Sequence, residues 1–283
     1  MNNSDLNLIA ENVREKGFFQ IPEFLDKNKL ETVEKILSKE LTNNNKVIFP
    51  INKSQFLIKL IKFDFSTISN SKALLKIAEQ LRLNTIAKSI FNSEAELYMM
   101  DTYLNKKSKN VIIPWHNDIG LKNNDEQSKK DFFNSANATI NEKETDISSR
   151  GIKFFVYMTD TKSNNGALGV MPYSQHIVKT LTKLILNNKI SLETYWRLEN
   201  LRSLVSQKTI RHLLEEILGK EKIKKFLESS NFLNHSSDTT EFDSEMKKGG
   251  AVVFDELCVH RGSKPTENNR IVLRYLYRRK LNA

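Results

Sequence analysis

The sequence predicts a mainly β protein with flanking helices: an antiparallel double-sheet barrel of the jelly-roll type, carrying a helical insertion. Three observations lead there. Helical spacing dominates roughly the first third of the chain, strand-like runs rich in β-branched and aromatic residues follow, and a second helical stretch interrupts those runs. Helices grouped before strands, rather than alternating with them, favour antiparallel pairing over a parallel α/β sheet.

Taken in order, residues 5 to 42 read as helical, with Leu30, Val33, Ile36, Leu37 and Leu41 at helical spacing and Asp26 as a candidate N-cap. Within them, Gly17-Phe18-Phe19-Gln20-Ile21-Pro22 reads as a short extended piece. Residues 71 to 91 continue the helical pattern through Leu74, Leu75, Ile77, Ala78, Leu81, Ile86 and Ile90. Strands are expected at Glu96 to Leu104, Val111 to His116, Gly151 to Thr159, Ala167 to Met171, Gly250 to Val259 and Ile271 to Tyr277. Asn164-Asn165-Gly166 marks a turn between two of them. The polar stretch 119 to 149 is expected to be a long loop. Residues 177 to 232, with Leu198, Leu201, Leu204 and Val205 and then Leu213, Leu214, Ile217 and Leu218, form the insertion, of the kind often used as a lid. Single-domain folds of this class reach such lengths, so residues 1–283 are read as one domain with N-terminal helices over about 5–91 and the insertion over about 177–232.

Composition sets outer limits. The chain is 39% hydrophobic and 28% charged, which allows a real core and excludes a disordered or fibrous class. No run approaches the roughly 20 apolar residues that cross a bilayer, so no membrane partner is expected. The N-terminus, Met1-Asn2-Asn3-Ser4-Asp5, lacks a basic stretch followed by an apolar one, and a single cysteine, Cys258, permits no internal disulfide. A reducing, cytoplasmic location is the expectation. The net charge of +10 raises the possibility of an anionic partner. The basic residues are dispersed, however, and no aromatic-studded basic strand accompanies them, so nucleic acid is not expected.

The chemistry is carried by two short signatures far apart in sequence. Trp115-His116-Asn117-Asp118 places a histidine and a carboxylate at i and i+2, which share one face of a strand. The apolar run from Ala251 to Val259 would deliver His260 at its end. Two histidines and one carboxylate match the facial triad of a non-haem Fe(II) oxygenase, which leaves three metal positions open. Arg270 then supplies a planar guanidinium suited to clamping a carboxylate with two parallel hydrogen bonds. Arg274, two pleats along on the same face, is the reserve. Any one of these residues alone is weak evidence; their order, spacing and strand context together are strong.

At these residues the chain resembles the phytanoyl-CoA dioxygenase family of Fe(II)/2-oxoglutarate-dependent oxygenases. The resemblance lies in Pro114 to Asp118, in Asn165-Gly166-Ala167-Leu168-Gly169-Val170-Met171-Pro172-Tyr173-Ser174-Gln175-His176, and in Gly249 to Asp255 continuing through His260 to Arg270. It covers roughly residues 10 to 175 and 245 to 278. Family members show a similar Asn-Gly-x-Leu-x-x-x-Pro-x-Ser-His stretch; here Gln175 separates Ser174 from His176. The resemblance implies a double-stranded β-helix, Fe(II) held by His116, Asp118 and His260, 2-oxoglutarate held by Arg270, and O2 as oxidant. Thr102, on the strand before the first metal motif, matches a position that touches the co-substrate in the family. His176 is then a loop-shaping residue rather than a ligand. Phe155 is core or a wall of the co-substrate pocket, and Cys258 a small buried hydrophobe. Relatives that halogenate carry a small residue at the carboxylate position, so Asp118 favours hydroxylation of a small metabolite or biosynthetic intermediate, with release of succinate and CO2. Desaturation, ring closure and epimerisation share the same opening chemistry. Trp196, Tyr195, Arg197 and Arg202 would meet substrate if the insertion is a lid. The competing reading is a non-enzymatic jelly-roll protein that binds a metal or small acid as a sensor or structural part. The oligomeric state is left open by the sequence.

Overall fold

The computed structural model describes residues 2–40, 47–48, 65–140, 151–234 and 240–280. Helix α1 (Asn3–Lys16) opens with a reciprocal cap. The Asn2 side chain accepts from the Asp5 backbone N–H at 2.9 Å, and the Asp5 carboxylate accepts from the Asn2 N–H at 2.8 Å. It ends at Gly17, whose φ of 94° is the left-handed conformation glycine tolerates. Strand β1 (Phe18–Ile21) follows, then α2 (Lys27–Glu40), with Asp26 accepting from the Lys29 N–H. After β2 (Val47–Ile48), the apolar run expected as one helix divides into α3 (Phe65–Gln80) and α4 (Leu83–Phe91) at Arg82, itself in the left-handed region. Arg14 ties α1 to α4 by donating to the Ile90 and Ser89 carbonyls at the C-terminus of α4. The predicted ends of the first helical region, residues 41 and 42, lie outside the described residues.

Two antiparallel sheets follow. The larger has the order β1-β8-β5-β10-β3-β2 and the smaller β4-β9-β6-β7. Their strands are β3 (Ala95–Asn105), β4 (Ile113–His116), β5 (Gly151–Tyr157), β6 (Leu168–Val170), β7 (Asp243–Ser244), β8 (Ala251–Asp255), β9 (His260–Gly262) and β10 (Arg270–Arg279). From β3 onward, successive strands pass between the sheets, with only β6 and β7 consecutive in one. The period of two in a strand sorts side chains into layers. Phe155, Tyr157, Val252, Phe254 and Val272 face inward against Leu168 and Val170 of the smaller sheet. Phe154, Val156, Val253, Leu273 and Tyr275 face outward onto α1 to α4. Each such side chain contributes about 1.5–3 kcal/mol by leaving water. Among the described residues, no helix is long and apolar enough to cross a membrane.

The insertion forms α6 (Ser174–Leu186), α7 (Leu198–Ser206), α8 (Lys208–Leu218) and α9 (Lys220–Ser229), joined by a non-helical stretch at 187–197. Its apolar faces close over Trp115 and Val259.

Two sequence expectations need correction. Residues 119–149 are not one loop: α5 (Glu126–Thr139) lies within them, capped by Asp125, which accepts from the Ser128 N–H at 2.8 Å. Phe132 and Ala136 bury that helix against the insertion, and this tertiary contact outweighs its polar composition. Residues 141–149 of that stretch lie outside the described residues. The run from Gly250 to Val259 is not one strand either. β8 stops at Asp255, whose carboxylate accepts from the Leu257 N–H, and the chain turns into the other sheet before His260.

Candidate metal centre

The pairing of β4 with β9 sets His116 directly opposite His260. That register puts the two imidazole rings 4.4 Å apart, centroid to centroid. Asp118 lies just past the end of β4. The segment around it is pinned by Asn117, whose side-chain amide donates to the Tyr195 carbonyl at 2.7 Å and whose Oδ1 accepts from the Gly120 N–H at 2.6 Å. Oδ1 of Asp118 faces His116 Nε2 at 3.7 Å, and Oδ2 faces His260 Nε2 at 3.6 Å. One donor atom from each residue lies within 4.8 Å of the others, the one such group of three found among the described residues.

The imidazoles are oriented for ligation. His116 Nδ1 donates to the Pro114 carbonyl at 2.8 Å and His260 Nδ1 to the Cys258 carbonyl at 2.9 Å, which leaves both Nε2 lone pairs turned to Asp118. Burial pushes His260 down to about 3, against the pull of the Asp118 charge, so its imidazole is neutral at pH 7. Burial works to raise Asp118, but Lys153, His260 and His116 outweigh it and hold the carboxyl well below the usual range. Two imidazole nitrogens, that of His260 neutral, and an ionised carboxylate form a donor set suited to a divalent transition metal. The histidine side chains are 4% and 7% exposed and that of Asp118 is 31% exposed, so solvent reaches the trio from the carboxylate side. Lys153 donates to Asp118 Oδ2.

Arg270 and Arg274 occupy one face of β10 and meet different partners across the β3 pairing. Arg274 lies opposite Asp101 and grips both of its oxygens, from Nε at 2.8 Å and from Nη2. Arg270 lies opposite the neutral Asn105, to which Nη1 donates at 3.2 Å. Its Nε and Nη2 are buried without a hydrogen-bond partner among the described residues, as is the Tyr157 hydroxyl beside it. A guanidinium that is 3% exposed and has two idle donors is suited to an incoming carboxylate. Gly166, with φ 79°, lets the turn pass over this arginine; a Cβ there would sit 3.1 Å from Arg270 Cδ. Arg270 packs on the Phe155 ring, Phe155 on Phe254, and Phe254 on His260, so an aromatic chain links the arginine to the trio.

Thr102 pairs with Leu273, whose side chain belongs to the helix-facing core. Directly opposed residues share a face, so Thr102 points away from Arg270 and the histidines. His176 lies apart, with Nε2 donating to the Glu15 carbonyl at 3.0 Å. Cys258 is fully buried and donates to the Gly17 carbonyl. Phe155 and Cys258 both sit in the inter-sheet core. Trp196 reaches the site, its ring 5.0 Å from that of His116, with Arg197 and Lys122 stacked on it. Sequence reasoning missed Lys153, Asn105 and Tyr157. Lys153 could have been found as the one charge in the apolar strand from Gly151 to Tyr157.

Solved structures resemble this fold, three of them as follows. The non-heme alpha ketoglutarate dependent epimerase SnoN from nogalamycin biosynthesis aligns with a TM-score of 0.54 at 11% identity, over 98% of this chain and 84% of its own. HygX from Streptomyces hygroscopicus, with nickel and 2-oxoglutarate bound, aligns at 0.55 and 12% identity, over 99% and 88%. AviO1 from Streptomyces viridochromogenes Tue57 aligns at 0.51 and 10% identity, over 100% and 99%. No curated protein sequence matches the chain. The family model of phytanoyl-CoA dioxygenase (PhyH) matches residues 13–271, nearly the whole chain, and the protein belongs to that family.

Proposed function

We propose that the protein is an Fe(II)/2-oxoglutarate-dependent oxygenase that hydroxylates a small organic molecule. The observation carrying the proposal is the coincidence of three convergent ligand atoms with a buried arginine that has two idle donors. The eight strands β3 to β10 are then the two layers of a double-stranded β-helix, with the trio at the end where β4 and β9 meet. SnoN has been crystallised with Fe3+, alpha ketoglutarate and nogalamycin RO, and HygX with nickel, 2-oxoglutarate and hygromycin B; both support a small-molecule substrate.

His116, Asp118 and His260 would hold the metal through Nε2, a carboxylate oxygen and Nε2. When bound, iron and 2-oxoglutarate together supply the oxidising power drawn from O2, with succinate and CO2 as by-products. The chain's own residues prepare this. The Pro114 and Cys258 carbonyls fix the imidazole tautomers, and Arg270 with the Tyr157 hydroxyl receives the far carboxylate of 2-oxoglutarate. We assign that hydroxyl the co-substrate contact expected of Thr102. The inter-sheet aromatics keep water from the interior. Trp196, Arg197 and the stretch joining α6 to α7 form the substrate side.

The test is succinate formation from 2-oxoglutarate by purified protein with ferrous iron, ascorbate and air, with a panel of small-molecule substrates. Succinate above background in the wild type and none in His116→Ala supports the proposal. Equal background in both overturns it in favour of a binding protein.

A further inference from the structure

Lys153 has no role in the oxygenase chemistry described so far. It lies on the inner face of β5, opposite Phe254 on one side and Leu276 on the other. Its side chain is only 16% exposed, and an ammonium so enclosed requires a partner. That partner is Asp118 Oδ2. The position is built from two directions. The stem rises past the Phe254 ring, with Nζ 5.9 Å from its centroid, and the same ring lies 5.2 Å from that of His260. Behind it, the Glu256 carboxylate fills the space above Gly151, where an added Cβ would come within 2.0 Å, and Arg278 holds Glu256 in place at 3.2 Å.

We propose that Lys153 is a positioning residue that confines Asp118 to one-oxygen ligation and so keeps three positions of the bound metal open. The inference rests on the metal centre proposed above and deepens it. Oδ1 of Asp118 faces His116 Nε2 at 3.7 Å and Oδ2 faces His260 Nε2 at 3.6 Å, and of the two only Oδ2 is also engaged by the ammonium. A carboxylate binding through both oxygens would turn Oδ2 to the metal and occupy a fourth position. A chelating 2-oxo acid needs two positions and O2 one, so a fourth protein donor would displace one of them. The ammonium acts in a second way. A positive charge in contact with a ligand oxygen repels the cation that the oxygen binds. Most outer partners of metal ligands strengthen binding; a cationic one weakens it. Lys153 therefore exchanges metal affinity for open coordination positions.

Its loss should move two affinities in opposite directions. Lys153→Met should bind metal more tightly, because a repulsive charge goes and a donor oxygen is gained, and the loaded protein should bind 2-oxoglutarate more weakly. A side chain that only packs would move neither, and one that only orients Asp118 would weaken metal binding. The experiment is calorimetric titration of Ni(II) into the full chain, followed by 2-oxoglutarate into each Ni(II)-loaded protein, for wild type, Lys153→Met, Lys153→Arg and His116→Ala. The expected result for Lys153→Met is Ni(II) binding at least about tenfold tighter and 2-oxoglutarate binding at least about tenfold weaker. Lys153→Arg, which keeps charge and donors, should stay near wild type in both. Unchanged or weaker Ni(II) binding by Lys153→Met, or unchanged 2-oxoglutarate binding, overturns the proposal. If Lys153→Met does not fold, Lys153→Gln decides: tighter Ni(II) binding supports the proposal, and equal or weaker binding overturns it. Failure of the wild type to bind Ni(II) would instead overturn the metal centre, and this proposal with it.

Discussion

Arg270 and Arg274 are chemically identical and share a face, yet the residue across the ladder gives them different work. Asp101 consumes Arg274; Asn105 leaves two donors of Arg270 idle. Arg270→Ala should raise the apparent Michaelis constant for 2-oxoglutarate roughly 100-fold, the effect of losing about two hydrogen bonds to a charged group, with little change in unfolding midpoint. Arg274→Ala should do the reverse, costing about 3–5 kcal/mol because Asp101 is left buried and unpaired. Steady-state kinetics and urea unfolding on both variants separate the roles. The sequence ranked Arg270 first from its distance to His260, but the partners that decide the matter come from other strands. Thr102 shows the same gap from the other side. In a strand a one-residue shift reverses the face, and the register of β3 on β10 cannot be read from one chain. His176 adds a pH-dependent term. Burial holds it below its ordinary value, against the hydrogen bond from its ring to Glu15. The unfolded chain therefore takes up a proton near pH 6.5 that the folded chain refuses until lower pH. This stability is fully present above about pH 6.5 and is lost as pH falls below it. His176→Gln should flatten the acid limb of a stability-versus-pH curve relative to wild type; an unchanged limb would contradict the assignment.

Among the elements, those with strong periodicity were legible and those defined by contacts were not. α1, α2, β3, β5 and β10 follow the apolar patterns of their sequences. α5 was hidden because its buried face is narrow, resting on Phe132 and Ala136. The break between β8 and β9 was hidden because Glu256-Leu257-Cys258-Val259 is as buried as the strand before it, although its backbone turns. That turn delivers His260 to the second sheet opposite His116, so the site depends on it. It also sends Glu256 into the space over Gly151. Gly151→Ala should cost about 1–3 kcal/mol through overpacking against that carboxylate, read as a lowered urea midpoint. A neutral result would mean that β5 shifts freely there.

For the whole molecule, the order of helices, strands and insertion was enough to anticipate two antiparallel sheets flanked by helices. The clustering of His116, Asp118 and His260 was legible because these residues sit in short motifs with strong local context. The proposed substrate side was not, because the stretch joining α6 to α7 that would form it has side chains that follow no periodic rule. Binding of a metal should stabilise the fold by mass action. At a free concentration 100 times its dissociation constant, Ni(II) should add about 2.7 kcal/mol, seen as a raised unfolding midpoint in the wild type and absent in His260→Ala. The most direct test of the central claim is an anaerobic titration of the Fe(II)-loaded protein with 2-oxoglutarate, followed by visible absorption. The account predicts a charge-transfer band that saturates at one equivalent per chain, requires His116, Asp118 and His260, and needs far more 2-oxoglutarate in Arg270→Ala. No band in the wild type, or an undiminished band in a variant lacking either histidine, would contradict it.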